Sequence, residues 1–380
     1  MNHLTNIYYN LNDYLFPILN VDFGELTEKM KDFLRILEVV RPARFLENID
    51  INKGFGRPQA DREKILRAFI LKAVYNYSTT KALIENLKTN SILRVLCGWN
   101  FADEVPSEAT FSRVFATFSK EFIPEAIHAS IIKENYTDKI VGHSSIDSTA
   151  ILGREKAHVQ QWEKADKQPK KEKKKRGRKS KAEKELLAKQ ELTEPEKTRL
   201  QQQGNRSLED NIKDLPIYCD WGSKHNSKGK FSTWCGYKFH IATGDGDIPL
   251  GAILTSASIH DSQVAIPLMQ KVNERATVLY DLADAAYDAK EIHNFSAKLG
   301  HVPIIDKNKR NGEIIPLAPA EKKRYCERSS VERTNSDLKD NHCGTSIRVK
   351  GYKKVFSHLM FSLIVITVKQ MFSMLQKIIK

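Results

Sequence analysis

Cysteine is scarce in this chain and arranged for neither zinc nor a disulfide framework. Cys97, Cys219, Cys235, Cys326 and Cys343 are odd in number and form no CxxC pair. Such a set predicts reduced thiols in a cytoplasmic protein and disfavours a structural zinc site. The chain also lacks a P-loop, a glycine-rich nucleotide motif and a nucleophile elbow, so no nucleotide cofactor is expected. Its first residues, MNHLTNIYYNLNDYLF, have no basic n-region and no unbroken apolar run, which argues against a signal peptide. The most apolar run, Leu359 to Val368, stops at Lys369 and is too short to span a bilayer. It reads as a buried helix, and no membrane is expected as a partner.

Positive charge is what the chain has in excess. Lys and Arg number 61 against 47 Asp and Glu, a net +14 with histidine neutral. That balance favours a polyanion, and without a membrane segment the polyanion is nucleic acid; fold is not addressed by it. Hydrophobic residues make up 41% of the 380 positions, enough for a real core. The length allows two domains, or one large domain carrying an insertion.

Residues 1–135 read as a helical N-terminal domain. After GRPQA at 56–60, Asp61 can cap a helix whose Ile65, Leu66, Phe69, Ile70 and Val74 recur at helical spacing. Ser78 can cap the next helix, and Pro106 with Ser107 starts a third. Helix, short turn, helix fits a helix-turn-helix that reads DNA and fits a plain bundle equally. From about Lys139 the pattern turns to strands. Residues 140–149 carry Asp147, the stretches 233–242 and 249–256 are joined by a GDGD turn, and 276–282 is followed by Asp284. Helices over 262–272, with Asp261 as cap, and over 288–299, closed by Gly300, flank that last strand, and HVPII follows. Hairpin, helix, parallel strand, helix, strand, helix is the order of a ribonuclease-H-like α/β domain over 136–380, a mixed sheet flanked by helices. His240 and His342 are expected to be satisfied structural residues rather than ligands.

Between the first two strands lies a lysine-rich insertion, 164–210. Its densest piece, 170–181, holds nine basic residues and one acid, among them Lys174, Lys175, Arg176, Arg178 and Lys179. The RGRK core resembles a short arm that enters the minor groove at A·T tracts; a solvated linker fits the same composition. Ser180 with Glu183, and Thr193 with Glu196, satisfy the capping-box pattern, and Gly204 can end a helix, so 181–203 is expected to form a helical hairpin.

The stretch YCERSSVERTNSDLK, 325–339, carries the most chemistry. On one helix Tyr325, Arg328, Glu332 and Lys339 fall at about 0°, 300°, 340° and 320°, a single face with a phenol, two cations and a carboxylate. Val331 and Leu338 fall on the far side, where they can pack onto a sheet. An ordinary solvated helix with an Arg328–Glu332 ion pair has the same appearance.

The spacing Tyr, two residues, Arg, three residues, Glu, six residues, Lys resembles the signature of a large group of DDE transposases of bacterial insertion sequences. Asp147 in IDST and Asp284 in LADAAYDA stand where that group places its other two acids; Asp281 and Asp288 are rivals for the second place. The resemblance runs from about Gly56 to the C-terminus, apart from the lysine-rich segment. It implies that Asp147, Asp284 and Glu332 are catalytic and hold two Mg²⁺ ions, with Mn²⁺ as a substitute, for hydrolysis and strand transfer. It implies that Arg328, Lys339 and Tyr325 contact DNA, that the N-terminal region binds element ends, and that the protein acts on the nucleoid as at least a dimer. A DNA-binding relative that does not cut, and a ribonuclease-H-like nuclease without strand transfer, are the alternatives.

Overall fold

The computed structural model describes residues 2–47, 59–158, 198–225, 229–308 and 316–379. Residues 56–58 of the GRPQA stretch, the capping patterns at Ser180 and Thr193, and the basic positions Lys174, Lys175, Arg176, Arg178 and Lys179 lie outside them.

Up to Tyr136 the described chain is helical. α1 (Asn2–Tyr9) passes through a π-helical turn into α2 (Phe16–Phe23), and α3 (Glu28–Val40), α4 (Arg62–Val74), α5 (Thr80–Thr89), α6 (Ser91–Leu96), α7 (Glu108–Lys120) and α8 (Ile123–Tyr136) follow. Asp61 caps α4 as expected, its carboxylate accepting from the Glu63 and Lys64 N–H groups at 2.9 and 3.3 Å. The cap of α5 is Thr79, one residue past the expected Ser78; its hydroxyl accepts from the Ala82 N–H at 3.0 Å.

The strands begin with β1 (Ile140–Leu152). Two short helices, α9 (Arg199–Gln203) and α10 (Leu208–Asp214), lead to β2 (Asp220–His225), β3 (Phe231–Gly244) and β4 (Ile248–Ser256). Gly204 does end α9. α11 (Ser262–Asn273), β5 (Thr277–Ala283), α12 (Lys290–Lys298), β6 (Val302–Ile305), α13 (Pro319–Tyr325), α14 (Ser329–Asn341) and α15 (Tyr352–Ile379) complete the chain. β1 sits centrally, antiparallel to β3 and parallel to β5, and β6 extends the parallel side. β4 pairs with β3 over Tyr237 to Gly244, while β2 pairs with Phe231 to Gly236 of the same strand. Apart from β2, the order β4-β3-β1-β5-β6, three antiparallel strands followed by two parallel ones, is consistent with a ribonuclease-H-like DDE domain. β2 had no signal in the sequence, because its DWGSKH is polar and does not alternate.

α15 joins the parts. The apolar run 359–368 is only its middle: the helix continues to Ile379, longer than expected, and is buried from Val355 to Val368. One side, with Phe361, Ile364 and Val365, enters a core shared with the N-terminal helices and α11. The other, with Leu359, Leu363 and Ile366, packs with Tyr237, Phe239 and Ile241 of β3. Val331 and Leu338, the far face expected of the signature helix, are fully buried in that second cluster and fix α14 onto the sheet.

Candidate active site

Strand register builds the first half of the site. Ile146 of β1 lies beside Ala283 of β5 in the parallel ladder, so the next residue on each chain is Asp147 and Asp284. Neighbouring strands run about 4.8 Å apart, and residues in parallel register share a face. The two acids therefore meet just past the end of the β1–β5 ladder, although they are far apart in sequence. The Asp284 carboxylate accepts the Ala286 N–H at 2.9 Å and caps the short turn 285–287.

Burial dominates the electrostatics of Asp147. Its pKa is pushed up to about 6, first by desolvation, with the Asp284 charge adding to the rise. The Ser148 N–H, Lys224 of β2 and Arg328 pull the other way and do not prevail. The other acids near β5 have structural partners. Asp281 accepts from Ser296 Oγ at 2.6 Å and lies 2.9 Å from His301 Nδ1. Asp288 accepts the Asn308 N–H at 2.9 Å and lies 3.1 Å from His293 Nε2. Of the three candidates only Asp284 stands beside Asp147.

The signature stretch supplies the second half, with one correction. Tyr325 to Lys339 is not a continuous helix: α13 ends at Tyr325, a 3₁₀ turn spans Cys326–Arg328, and α14 begins at Ser329. The break gives the tyrosine another direction. Its hydroxyl donates to Asp306 Oδ2 at 2.7 Å, and its ring lies 5.8 Å from the Arg328 guanidinium. Counted from Arg328, the residues Glu332, Asn335 and Lys339 still share an arc of about 60°. That arc faces β1. Asn335 Nδ2 donates to Asp147 Oδ2 at 3.2 Å, and the charges of Arg328 and Lys339 both interact with that of Asp147. Lys339 has its pKa lowered by burial and by Lys224.

Glu332 lies on this face with its carboxylate turned to Arg328, in an exposed ion pair. Among the described residues no three His, Cys, Asp or Glu side chains are gathered closely enough to hold a metal ion. The structure thus brings Asp147 and Asp284 together with Arg328, Lys339 and Asn335, and leaves Glu332 beside the cluster.

Two further residues here were given no site role from the sequence. Asn335 lies three residues after Glu332, and the helical wheel alone places it beside Arg328. Tyr287 follows Asp284 by three; its hydroxyl is buried without a hydrogen-bond partner among the described residues and is affected by Asp147, Asp284 and Asp261. Asn335 Oδ1 is likewise buried and unpartnered. His240 and His342, expected to be satisfied, each have one ring nitrogen in contact with a polar partner, while His240 Nδ1 and His342 Nε2 are buried without a hydrogen-bond partner among the described residues. Both are buried, His240 at 2.9 Å from Thr255 Oγ1 and His342 at 2.9 Å from the Ala73 carbonyl. Asp261 does not cap α11 through its side chain; it accepts from Lys238 Nζ at 2.9 Å instead.

No curated protein and no solved structure gives a significant match to the chain. Two family descriptions do match. Residues 21–117 match a family described as a transposase domain, and residues 194–368 match a transposase DDE domain. The second match covers the strand that leads to Asp284 and the helix that carries Glu332. Together, on separate stretches of the chain, the two matches support a DDE transposase.

Proposed function

We propose that this transposase binds the ends of its element through residues 1–135, with the 164–210 insertion as an auxiliary arm. It cleaves DNA phosphodiester bonds at Asp147, Asp284 and Glu332 with two Mg²⁺ ions, and joins the freed 3′ ends to target DNA. The observation that carries this reading is the Asp147–Asp284 pair, two carboxylates side by side where the β1–β5 ladder ends, with the charges of Arg328, just before α14, and Lys339 of α14 acting on Asp147.

The donor set fits magnesium. Mg²⁺ takes hard oxygen ligands in an octahedral set and retains several waters. Two carboxylates and the unpartnered oxygens of Asn335 and Tyr287 lie here, and Asp147 is a carboxylate whose charge lacks sufficient compensation. When bound, such ions supply deprotonation of the attacking water and charge stabilisation on the leaving oxygen. The chain's own groups do the remainder. Glu332 joins the aspartates by releasing Arg328, a side-chain rotation that an exposed residue makes at little cost. Arg328, freed from that pair, and Lys339 then hold backbone phosphates on either side of the scissile bond. Asn335 keeps Asp147 oriented, and Tyr325 keeps Arg328 against its ring.

One observation favours the alternative of a DNA-binding relative that does not cut: Glu332 is paired with Arg328 and stands apart from the aspartates. Incubation with Mg²⁺ and DNA bearing the flanking inverted repeats separates the readings. Integration products are expected. Binding without cleavage would establish the silent relative, and cleavage without joining a nuclease.

A further inference from the structure

A second charged site lies away from the acids, where the N-terminal helices meet the segment between α14 and α15. Lys72, in the last turn of α4, is only 7% exposed. Among the described residues its ammonium has no hydrogen-bonding or ion-pairing partner; burial lowers its pKa, and Cys343 acts in the other direction without prevailing. It lines a cavity of about 390 Å³, within the range of roughly 300–1,000 Å³ usual for ligand pockets.

The other walls have the same sign. Arg154, just beyond β1, and Arg348 line the cavity, and the Arg154 guanidinium donates to the Arg348 carbonyl at 3.2 Å. Thr80 opens α5 here; the first-turn N–H groups of a helix carry partial positive charge, and the Thr79 hydroxyl takes up only that of Ala82. Against three cations stands one carboxylate, the exposed Glu108. Phe69, Phe115 and Phe361 form an apolar floor, which lowers the local dielectric and strengthens any charge pairing above it. A buried ammonium without a counter-charge is costly, and an anion in the cavity removes that cost.

We propose that this cavity binds a phosphate group, with Lys72 at its base and Arg154 and Arg348 at its mouth. The phosphate is either one in the backbone of bound DNA or a free phosphate ion. The proposal does not depend on the acid cluster, which lies on other residues, and it survives if the protein proves not to cut DNA.

The test uses the full-length protein and inorganic phosphate, with chloride at matched ionic strength as control. Phosphate is expected to raise the Tm saturably, by about 2 °C or more, in the unsubstituted protein and not in Lys72→Met. In parallel, the slope of log affinity for DNA against log salt is measured. A slope reduced by about one in Lys72→Met identifies a backbone phosphate as the source, and an unchanged slope with the Tm response lost identifies the free ion. A reduced slope without a Tm response in the unsubstituted protein also supports the site, for DNA alone. If Lys72→Met does not fold, Arg348→Ala, at an exposed position, replaces it, and its phosphate Kd is expected to rise at least about threefold. Neither a phosphate-specific Tm response nor a change of slope, or a response that persists in the variants, overturns the proposal.

Discussion

Asp281 and Asp147, one buried and the other partly buried, are carboxylates on neighbouring strands of one sheet, and they are treated in opposite ways. Asp281 on β5 is enclosed by Ser296 and His301, which both engage its Oδ2 directly. Asp147 on β1 has the Asn335 amide, the Ser148 N–H and distant cations, which do not offset its desolvation, and its proton affinity rises. Burial with sufficient partners makes a structural element; burial that the partners do not offset leaves a group whose charge calls for a further cation. The lysines repeat the contrast. Lys271 of α11 is buried but paired with Glu125 and donates to the Ala252 carbonyl at 3.0 Å, whereas Lys72 has no such partner among the described residues.

The largest effect is expected from Asp281→Ala, which removes the acceptor of two buried donors. It should cost about 3 kcal/mol or more in chemical denaturation and leave metal affinity unchanged. Little loss of stability would erase the distinction between the two aspartates. Lys271→Met should be comparably damaging, because Glu125 stays behind with only Arg275 at 3.4 Å, while Lys72→Met should be neutral or stabilising.

Asp147→Asn should act in the opposite direction. A carboxyl whose folded-state pKa is raised to about 6 holds its proton better in the folded chain, so that stability falls as pH rises from about 4 through 6 and stays reduced above. The asparagine variant should therefore be more stable than the parent at pH 8, on the order of 2–3 kcal/mol, with the gain gone at pH 4. It should no longer cleave DNA. By the same linkage, the apparent Mg²⁺ affinity measured by calorimetry should rise about tenfold per pH unit below 6 and level off above. A flat profile would separate Asp147 from the metal.

The smallest effect on stability belongs to Glu332→Gln, within about 0.5 kcal/mol, since an exposed ion pair contributes little. Cleavage should be abolished while end binding remains. Unfolding of this variant, or retained cleavage, would return Glu332 to the status of a surface partner for Arg328.

Where a residue's role depends on local spacing, it was legible from the sequence. Asp61 caps its helix, Gly204 and Gly300 follow the ends of theirs, and Val331 with Leu338 anchor α14, because capping and helical periodicity act over a few residues. The strands that carry Asp147 and Asp284 were legible for the same reason. The single face from Tyr325 to Lys339 was only partly correct, since a 3₁₀ turn of three residues resets the phase between Tyr325 and the rest. The cap of α5 is Thr79 rather than the neighbouring Ser78.

By itself the sequence determined the kinds of element, the acids they carry and the excess of positive charge, since each follows from short-range pattern or composition. Tertiary structure decided that Asp284, chosen over Asp281 and Asp288 through the resemblance, stands beside Asp147, that Asn335 and Tyr287 join them, and that Lys72 is enclosed without a counter-charge among the described residues. Those outcomes depend on strand register and on which helix covers which face, and contacts between residues a hundred or more positions apart leave no trace in local spacing.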